Sequence, residues 1–279
     1  MSVRIVTDSS CDLEAAEADE LAIEVVPLTI RIGSTEYTDR VDLSVEDFYA
    51  KMATSPTLPE TAASSPGAFE AAFRRQREAG ADGVICVTLS SDLSATMQAA
   101  QNAATGIADE LDVRVIDSRS ITMGLGTIAR LAATAAADGA SLDEVVAAVD
   151  DIARRTHVIG TLDTLENVKK GGRIGKGQAF LGSLLSIKPL VDLSTGVLEP
   201  AGKARTRRKA LEWVRDVVLE QPKVEHLAII HSMAPDVDEL LRLLSTRYER
   251  ADIRTATIGA VIGTHGGPGM IGATWVDPE

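Results

Sequence analysis

At 279 residues the chain is long enough for one large domain or two of ordinary size, and 45% hydrophobic with 25% charged residues is ordinary for a globular protein. Aromatic residues make up only 3%, so the core must be built from Ala, Val, Ile and Leu, with few rings left for stacking on bases. A net charge of -13 repels phosphate backbones, and together these features speak against a nucleic-acid partner.

The elements follow in chain order. Val3 to Thr7 is a short apolar run ending in Asp8-Ser9-Ser10, as a buried parallel strand meets the loop at its carboxyl end. The N-terminal residues Met1 to Asp8 therefore read as a first strand and not as a signal peptide. Further strands are expected at Ile23 to Pro27 and Leu28 to Ile32. Ser44-Val45-Glu46-Asp47 has the form of a helix start running through Met52. The stretch from Thr54 to Gly67, with three prolines and many hydroxyls, reads as a loop, and the next helix starts near Pro66. Gly83 to Leu89 is the strongest buried strand and runs into Ser90-Ser91-Asp92-Leu93-Ser94, with a helix from about Ala95. Val113 to Ile116 is the next strand, followed by helices over Met123 to Ala137 and from Ser141, capped with Glu144, to Arg154. Strand, loop and helix repeated in this way predict βαβ units with right-handed crossovers.

The texture changes after Arg155, where glycines and basic residues cluster at Lys169-Lys170-Gly171-Gly172-Arg173 and from Lys203 to Lys209. Strands are expected at Ser186 to Asp192, Leu227 to His231, Ala256 to Ile262 and Ala273 to Val276, with helices over Arg207 to Glu220 and Val237 to Glu249. The predicted class is α/β, with an N-terminal parallel-sheet domain over 1–155 and a C-terminal α+β domain over 156–279. Cys11 and Cys86 are the only cysteines and no histidine pair has ligand spacing, so no metal site is expected. No run approaches 18 uncharged apolar residues, so no membrane span is expected. A cytoplasmic protein with reduced thiols is the expectation.

Three hydroxyl-rich loops fall where a doubly wound sheet places ligands, beyond the carboxyl ends of its strands. They are Asp8-Ser9-Ser10, the loop around Thr61, and Ser90 to Ser94. Helix capping is the simpler account of Ser94 and Asp92 taken alone, whereas for Thr61 a solvated loop residue and a ligand contact are equally good accounts. Gly263-Thr264-His265-Gly266-Gly267-Pro268-Gly269 surrounds one histidine with glycines. It either cradles an anion with backbone N–H groups or makes a tight turn into the last strand. His157, His226 and His231 lie in or beside apolar runs and read as core or surface residues. Ser94 and His265 could be a nucleophile and base, but no G-x-S-x-G elbow is present and nothing marks an oxyanion hole. Cys86, inside an apolar strand, packs as a small hydrophobe.

Several motifs in this order and spacing resemble the DegV family of bacterial fatty-acid-binding proteins, the lipid-carrying component of fatty acid kinase. They are Thr7-Asp8-Ser9-Ser10-Cys11-Asp12-Leu13, Leu89 to Thr96, Asp117-Ser118, Lys170-Gly171-Gly172-Arg173-Ile174, Ile187-Lys188-Pro189 and Gly263 to Gly269. The resemblance spans the whole chain and implies a DegV-like two-domain architecture with a long-chain fatty acid held between the domains. It implies that Thr61, Ser94 and His265 hold the carboxylate, and that Arg173 and Arg205 face a phosphate or a docked kinase. It further implies a partner kinase related to dihydroxyacetone kinases, no catalytic residue of the chain's own, and no cofactor besides the bound lipid. The sequence departs from the family at one loop, which usually reads Thr-Ser-Gln-Pro-Ser-Pro and here is Thr61-Ala62-Ala63-Ser64-Ser65-Pro66.

The chemistry is compatible with that expectation. A carboxylate cannot be buried unpaired without a cost of several kcal/mol. Hydroxyl and imidazole donors offset it at roughly 1.5–3 kcal/mol per hydrogen bond to a charged acceptor. Each buried methylene adds about 0.8 kcal/mol, so a chain of about fourteen or more carbons binds tightly after association costs. Two other functions fit the same residues: a free-standing acyl or phosphoryl hydrolase or transferase using Ser94 and His265, and a lipid-sensing protein that regulates a partner.

Overall fold

A computed structural model describes residues 2–175 and 187–279; Met1 of the expected first segment and Ser186, at the head of the expected 186–192 strand, lie outside the described residues. Strand β1 (Val3–Asp8) pairs in parallel with β2 (Ile23–Val26) on one side and β6 (Gly83–Thr88) on the other, and β7 (Asp112–Asp117) pairs in parallel with β6. The near-continuous apolar runs of the central strands β1 and β6 are explained by burial on both faces, whereas the edge strand β7 begins by alternating exposed and part-buried residues. Val6, Val84 and Cys86 face helices α3 (Pro66–Glu78) and α4 (Thr96–Gly106). Ile5, Ile85 and Val87 face α5 (Thr122–Ala137) and α6 (Leu142–Arg155). This is the period-two alternation of a strand covered on both sides. Cys11 and Cys86 are both buried.

After the short helix α1 (Ala15–Glu20), several helix starts follow their caps. Ser44 Oγ accepts from Asp47 N at 3.1 Å at the head of α2 (Val45–Thr54), Pro66 opens α3 after Ser65, and Ser141 and Glu144 form a complete capping box on α6. The expected loop of 54–67 contains one departure. Strand β5 (Glu60–Ala62) pairs antiparallel with β3 (Thr29–Ile32), which in turn pairs with β4 (Thr35–Thr38). Pro56, Pro59 and Pro66 all fall outside those three residues, and β5 is an edge strand.

The C-terminal half builds a mixed sheet in the order β10-β9-β8-β13-β11-β12. Its strands are β8 (Thr156–Thr161), β9 (Lys188–Asp192), β10 (Glu199–Ala204), β11 (Glu225–His231), β12 (Arg254–Thr257) and β13 (Ile271–Val276). Leu227, Ile229, Ala273 and Trp275 face α8 (Arg207–Glu220) and α9 (Val237–Leu244). Residues Val158, Ala228 and Ile230 of the opposite face join the same buried cluster as Ile5 and Ile85, so the core runs on across residue 155. Helix α5 is the shared layer, buried nearly all round. Close approach requires its glycines: a Cβ at Gly124 would lie 2.8 Å from Val158 Cγ2, and one at Gly126 would lie 2.4 Å from the Cys11 carbonyl.

The strand expected over 256–262 ends at Thr257, and Ala260–Gly266 forms helix α10 instead. An apolar run of this length suits either state. Gly259 breaks it, and its N–H is captured by the buried carboxylate of Asp12 instead of by a sheet partner. The Gly263 to Gly266 segment is thus the last turn of a helix and not a tight turn, and the left-handed Gly267 (φ 79°) ends it.

Candidate functional site

Between the N-terminal and C-terminal halves lies an apolar cavity of about 720 Å³, its open mouth included. Leu28, Leu89, Leu93 and Ile121 wall it from the N-terminal half, and Leu162, Val168, Val191, Leu198 and Met270 from the C-terminal half. Val261 and Ile262 enter from α10. A second apolar compartment of about 300 Å³, open space included, shares Ile121, Val191, Leu193, Ile262 and Met270 with it and extends to Val158, Ile230 and Ile258. At the other end the cavity meets a polar surface cleft, walled by Pro56 to Glu60 on one side and by Asn167, Lys170 and Gly171 on the other. Thr61, Arg173 and His265 line both spaces and mark where they join.

Thr61 reaches this boundary because β5 pairs with Ile30 and turns its central side chain inward. Its Oγ1 lies 2.9 Å from His265 Nε2. His265 stands on the last turn of α10, and glycines press the surrounding backbone onto it. A Cβ at Gly171 would lie 2.4 Å from His265 Nδ1, and a Cβ at Gly263 would lie 2.4 Å from Tyr49 Oη. Burial pushes the His265 imidazole down to about 4, with the nearby Arg173 guanidinium acting in the same sense, so the ring is neutral at neutral pH. Nδ1 is buried without a partner. With Nε2 protonated, the ring donates to Thr61 and leaves a bare lone pair at Nδ1, the cheaper of the two unpaired states. The Thr61 hydroxyl hydrogen is then free to point at a ligand.

Ser94 lines the same cavity from the loop between β6 and α4. Its Oγ is 2.8 Å from Thr96 Oγ1 and accepts from Thr96 N at 3.3 Å, but the N-cap of α4 is Ala95 and not Ser94, which corrects the capping expected from composition. Arg173 follows the short helix α7 (Glu166–Lys170) and the left-handed Gly172. It donates from Nε to the Leu93 carbonyl at 3.1 Å and from Nη1 to the Gly171 carbonyl at 2.7 Å. One guanidinium therefore ties the Ser94 loop to the turn that covers His265. Arg205 stands apart, exposed on the turn between β10 and α8, and lines neither the cavity nor the cleft.

The basic cluster at the start of α8 raises an electrostatic problem, since cations are disfavoured at a helix N-terminus. Much of it is solved within the chain. Arg207 holds Asp236 through Nε at 2.6 Å and Nη2 at 2.8 Å, and Arg208 and Lys209 both reach Glu212.

The Asp8-Ser9-Ser10 loop does not line the cavity. Asp8 accepts from Ser10 N at 3.0 Å and from Leu89 N at 2.8 Å, and Ser9 Oγ accepts from Leu28 N at 3.0 Å. Its hydroxyls and carboxylate hold Leu28 and Leu89, two of the wall residues, in place. Sequence reasoning missed this supporting role because the partners lie 19 and 81 residues away. For a nucleophilic role, Ser94 and His265 lack mutual geometry: the bonds of Ser94 go to Thr96 and that of His265 to Thr61. Among the described residues no group of three or more His, Cys, Asp or Glu is placed to hold a metal ion, and no helix is long and apolar enough to cross a membrane.

The profile of the DegV family, described as uncharacterised proteins, matches residues 2–277. A DegV domain-containing protein of Streptomyces coelicolor is 36% identical over 274 residues, covering 97% of this chain and 96% of that protein. Among solved structures, a DegV family protein from Thermus thermophilus described for its fatty acid binding is 30% identical, with a TM-score of 0.91 and full coverage of both chains. A stearic-acid-binding protein from Eubacterium ventriosum is 25% identical, with a TM-score of 0.89 over 98% of each chain.

Proposed function

Because this chain belongs to the DegV family, matched along residues 2–277, we propose that it binds one long-chain fatty acid and presents the carboxylate to a partner kinase. The observation that carries the reading is the junction itself. An aliphatic cavity ends at Thr61, Ser94 and His265, and Thr61 and His265 also border a polar cleft open to solvent. The tail occupies the cavity and the second compartment, where burial of each methylene contributes about 0.8 kcal/mol. The carboxylate takes the Thr61 and Ser94 hydroxyls as donors, and the neutral His265 orients Thr61. No buried ion pair is needed to hold the anion.

In this reading residues 1–155 supply the hydroxyl loops, and residues 156–279 close the tunnel and bring His265. The cleft beside Lys170 and Arg173 is where a phosphoryl group would meet the carboxylate, delivered by a dihydroxyacetone-kinase-like enzyme in the cytoplasm. Arg205, exposed and outside the tunnel, belongs to the docking surface. The chain supplies no nucleophile of its own, and the step is the kinase's. Native mass spectrometry of purified protein followed by denaturing extraction tests the ligand, and acyl-phosphate formation with added kinase and ATP tests presentation. A protein that carries no fatty acid and takes none up sinks the first part. Lipid-loaded protein that no such kinase phosphorylates sinks the second.

A further inference from the structure

His265 depends on α10 for its position, and α10 has only seven residues, too short to hold itself in place. What fixes it comes from the other half of the chain. Asp12 Oδ1 accepts from Gly259 N at 2.9 Å, immediately before the helix, and Tyr49 Oη donates to the Ile258 carbonyl at 2.9 Å. Arg40 in turn donates from Nη2 to the same Asp12 oxygen at 2.9 Å and from Nη1 to the Leu13 carbonyl at 3.2 Å. Asp12 is 2% exposed. Both Asp12 (φ 55°) and Arg40 (φ 61°) sit in the left-handed region that non-glycine residues avoid. Gly259 is one point where the two halves touch closely: a Cβ there would lie 2.9 Å from Asp12 Oδ1 and 3.0 Å from Arg40 Nη2.

A buried carboxylate–guanidinium pair is a poor way to add stability, because desolvation consumes most of the attraction. Strained backbone at both partners adds to the cost. What this pair achieves is geometric, since it seats one backbone N–H at the head of the helix that carries His265.

We infer that Asp12 and Arg40 are positioning residues for the head-group site: they touch no ligand, but through Gly259 they set α10 so that His265 meets Thr61. The inference rests on the proposed head-group site, in which Thr61 donates to the carboxylate and His265 orients Thr61.

The test uses the full chain, delipidated, with palmitate as the probe. Asp12→Asn keeps an oxygen for the Gly259 N–H, whereas Asp12→Ala removes it. Affinity is measured together with the His265 ring nitrogen resonances, which a merely structural weakening of the fold would leave in place. Asp12→Ala is expected to weaken palmitate binding by about tenfold and to shift the His265 signals, and Asp12→Asn to restore both to within about threefold. If Asp12→Ala does not fold, Gly259→Ala, whose new methyl displaces Asp12, is expected to give the same loss and shift. Unchanged affinity or unmoved His265 signals in the variant that folds overturns the inference, as does Asp12→Asn behaving like Asp12→Ala. His265→Gln separates the two levels. If it binds palmitate normally, the head-group reading itself fails; if it binds weakly while the Asp12 and Gly259 variants bind normally, only the positioning role fails.

Discussion

Thr61→Val is the sharpest perturbation of the proposed head-group site, because valine matches threonine in shape and removes only the hydroxyl. The 2.9 Å bond to His265 disappears, and so does one donor to the carboxylate. Loss of a hydrogen bond to a charged acceptor costs roughly 1.5–3 kcal/mol, or about 10- to 150-fold in affinity. His265 offsets part of this, since its Nε2–H, freed from Thr61, can turn to the carboxylate. The lower end of the range, about 10- to 30-fold, is therefore expected. The free protein loses one neutral hydrogen bond, about 1 kcal/mol, which corresponds to a Tm change of about 2–4 °C in a chain of this size. Isothermal titration calorimetry of delipidated protein with palmitate measures the first quantity and scanning calorimetry the second. Because Thr61 and His265 touch, the double variant Thr61→Val/His265→Gln should lose less than the sum of the two singles. A change in affinity below about twofold in Thr61→Val, or strict additivity in the cycle, would refute the assignment of the carboxylate to this pair.

Ser94→Ala should loosen lipid retention, whereas Arg205→Ala should leave the lipid in place and sharply reduce acyl-phosphate formation; mass-spectrometric lipid content alongside a kinase assay separates the two. His265 should titrate near 4, the direction set by burial and then by Arg173, and an imidazole NMR titration reads it directly. An unfolded histidine takes its proton near 6.5, so the contribution of the neutral His265 to stability should fall as pH drops from about 6.5 towards 4, against the opposite effect of the buried Asp8 and Asp12 carboxyls. The difference between the parent and His265→Gln curves should isolate it. A slope unchanged by the substitution would place the titrating group elsewhere. Purified protein without kinase is expected to hydrolyse neither acyl esters nor ATP, and turnover abolished by Ser94→Ala would restore the hydrolase alternative.

Much of the scaffold was legible because its signals are local. The uninterrupted apolar run at Gly83–Thr88, the Ser141–Glu144 capping box and Pro66 at a helix start each carry their information within a few residues. What escaped is non-local. A three-residue edge strand at Glu60–Ala62 has no periodicity to detect, and only Ile30, 31 positions away, turns Thr61 inward. The helix at Ala260–Gly266 hides in an apolar run that reads equally well as strand, until Asp12 captures Gly259 from 247 residues away. The basic cluster before α8 looked unbalanced because Asp236, which neutralises Arg207, comes 29 positions later. Thr61, Ser94 and His265 entered as candidates from their residue types and from the family motifs, while Gly171 stood out only as part of a Gly-Gly-Arg motif, with nothing local to pair it with the imidazole of His265.

The scarcity of aromatic rings has an optical consequence. Trp213 on α8 and Trp275 on β13 both pack in the layer between the C-terminal sheet and helices α8 and α9, and no described residue lining the cavity is Phe, Tyr or Trp. Trp275 is further isolated by stacking on His157, with ring centres 4.9 Å apart. The protein's own fluorescence thus reports on the face of the C-terminal sheet that α8 and α9 cover, and entry of the proposed lipid is expected to change the emission little. A single tryptophan placed at Leu93, on the wall between Ser94 and the tail, would give the site a reporter it does not have by nature.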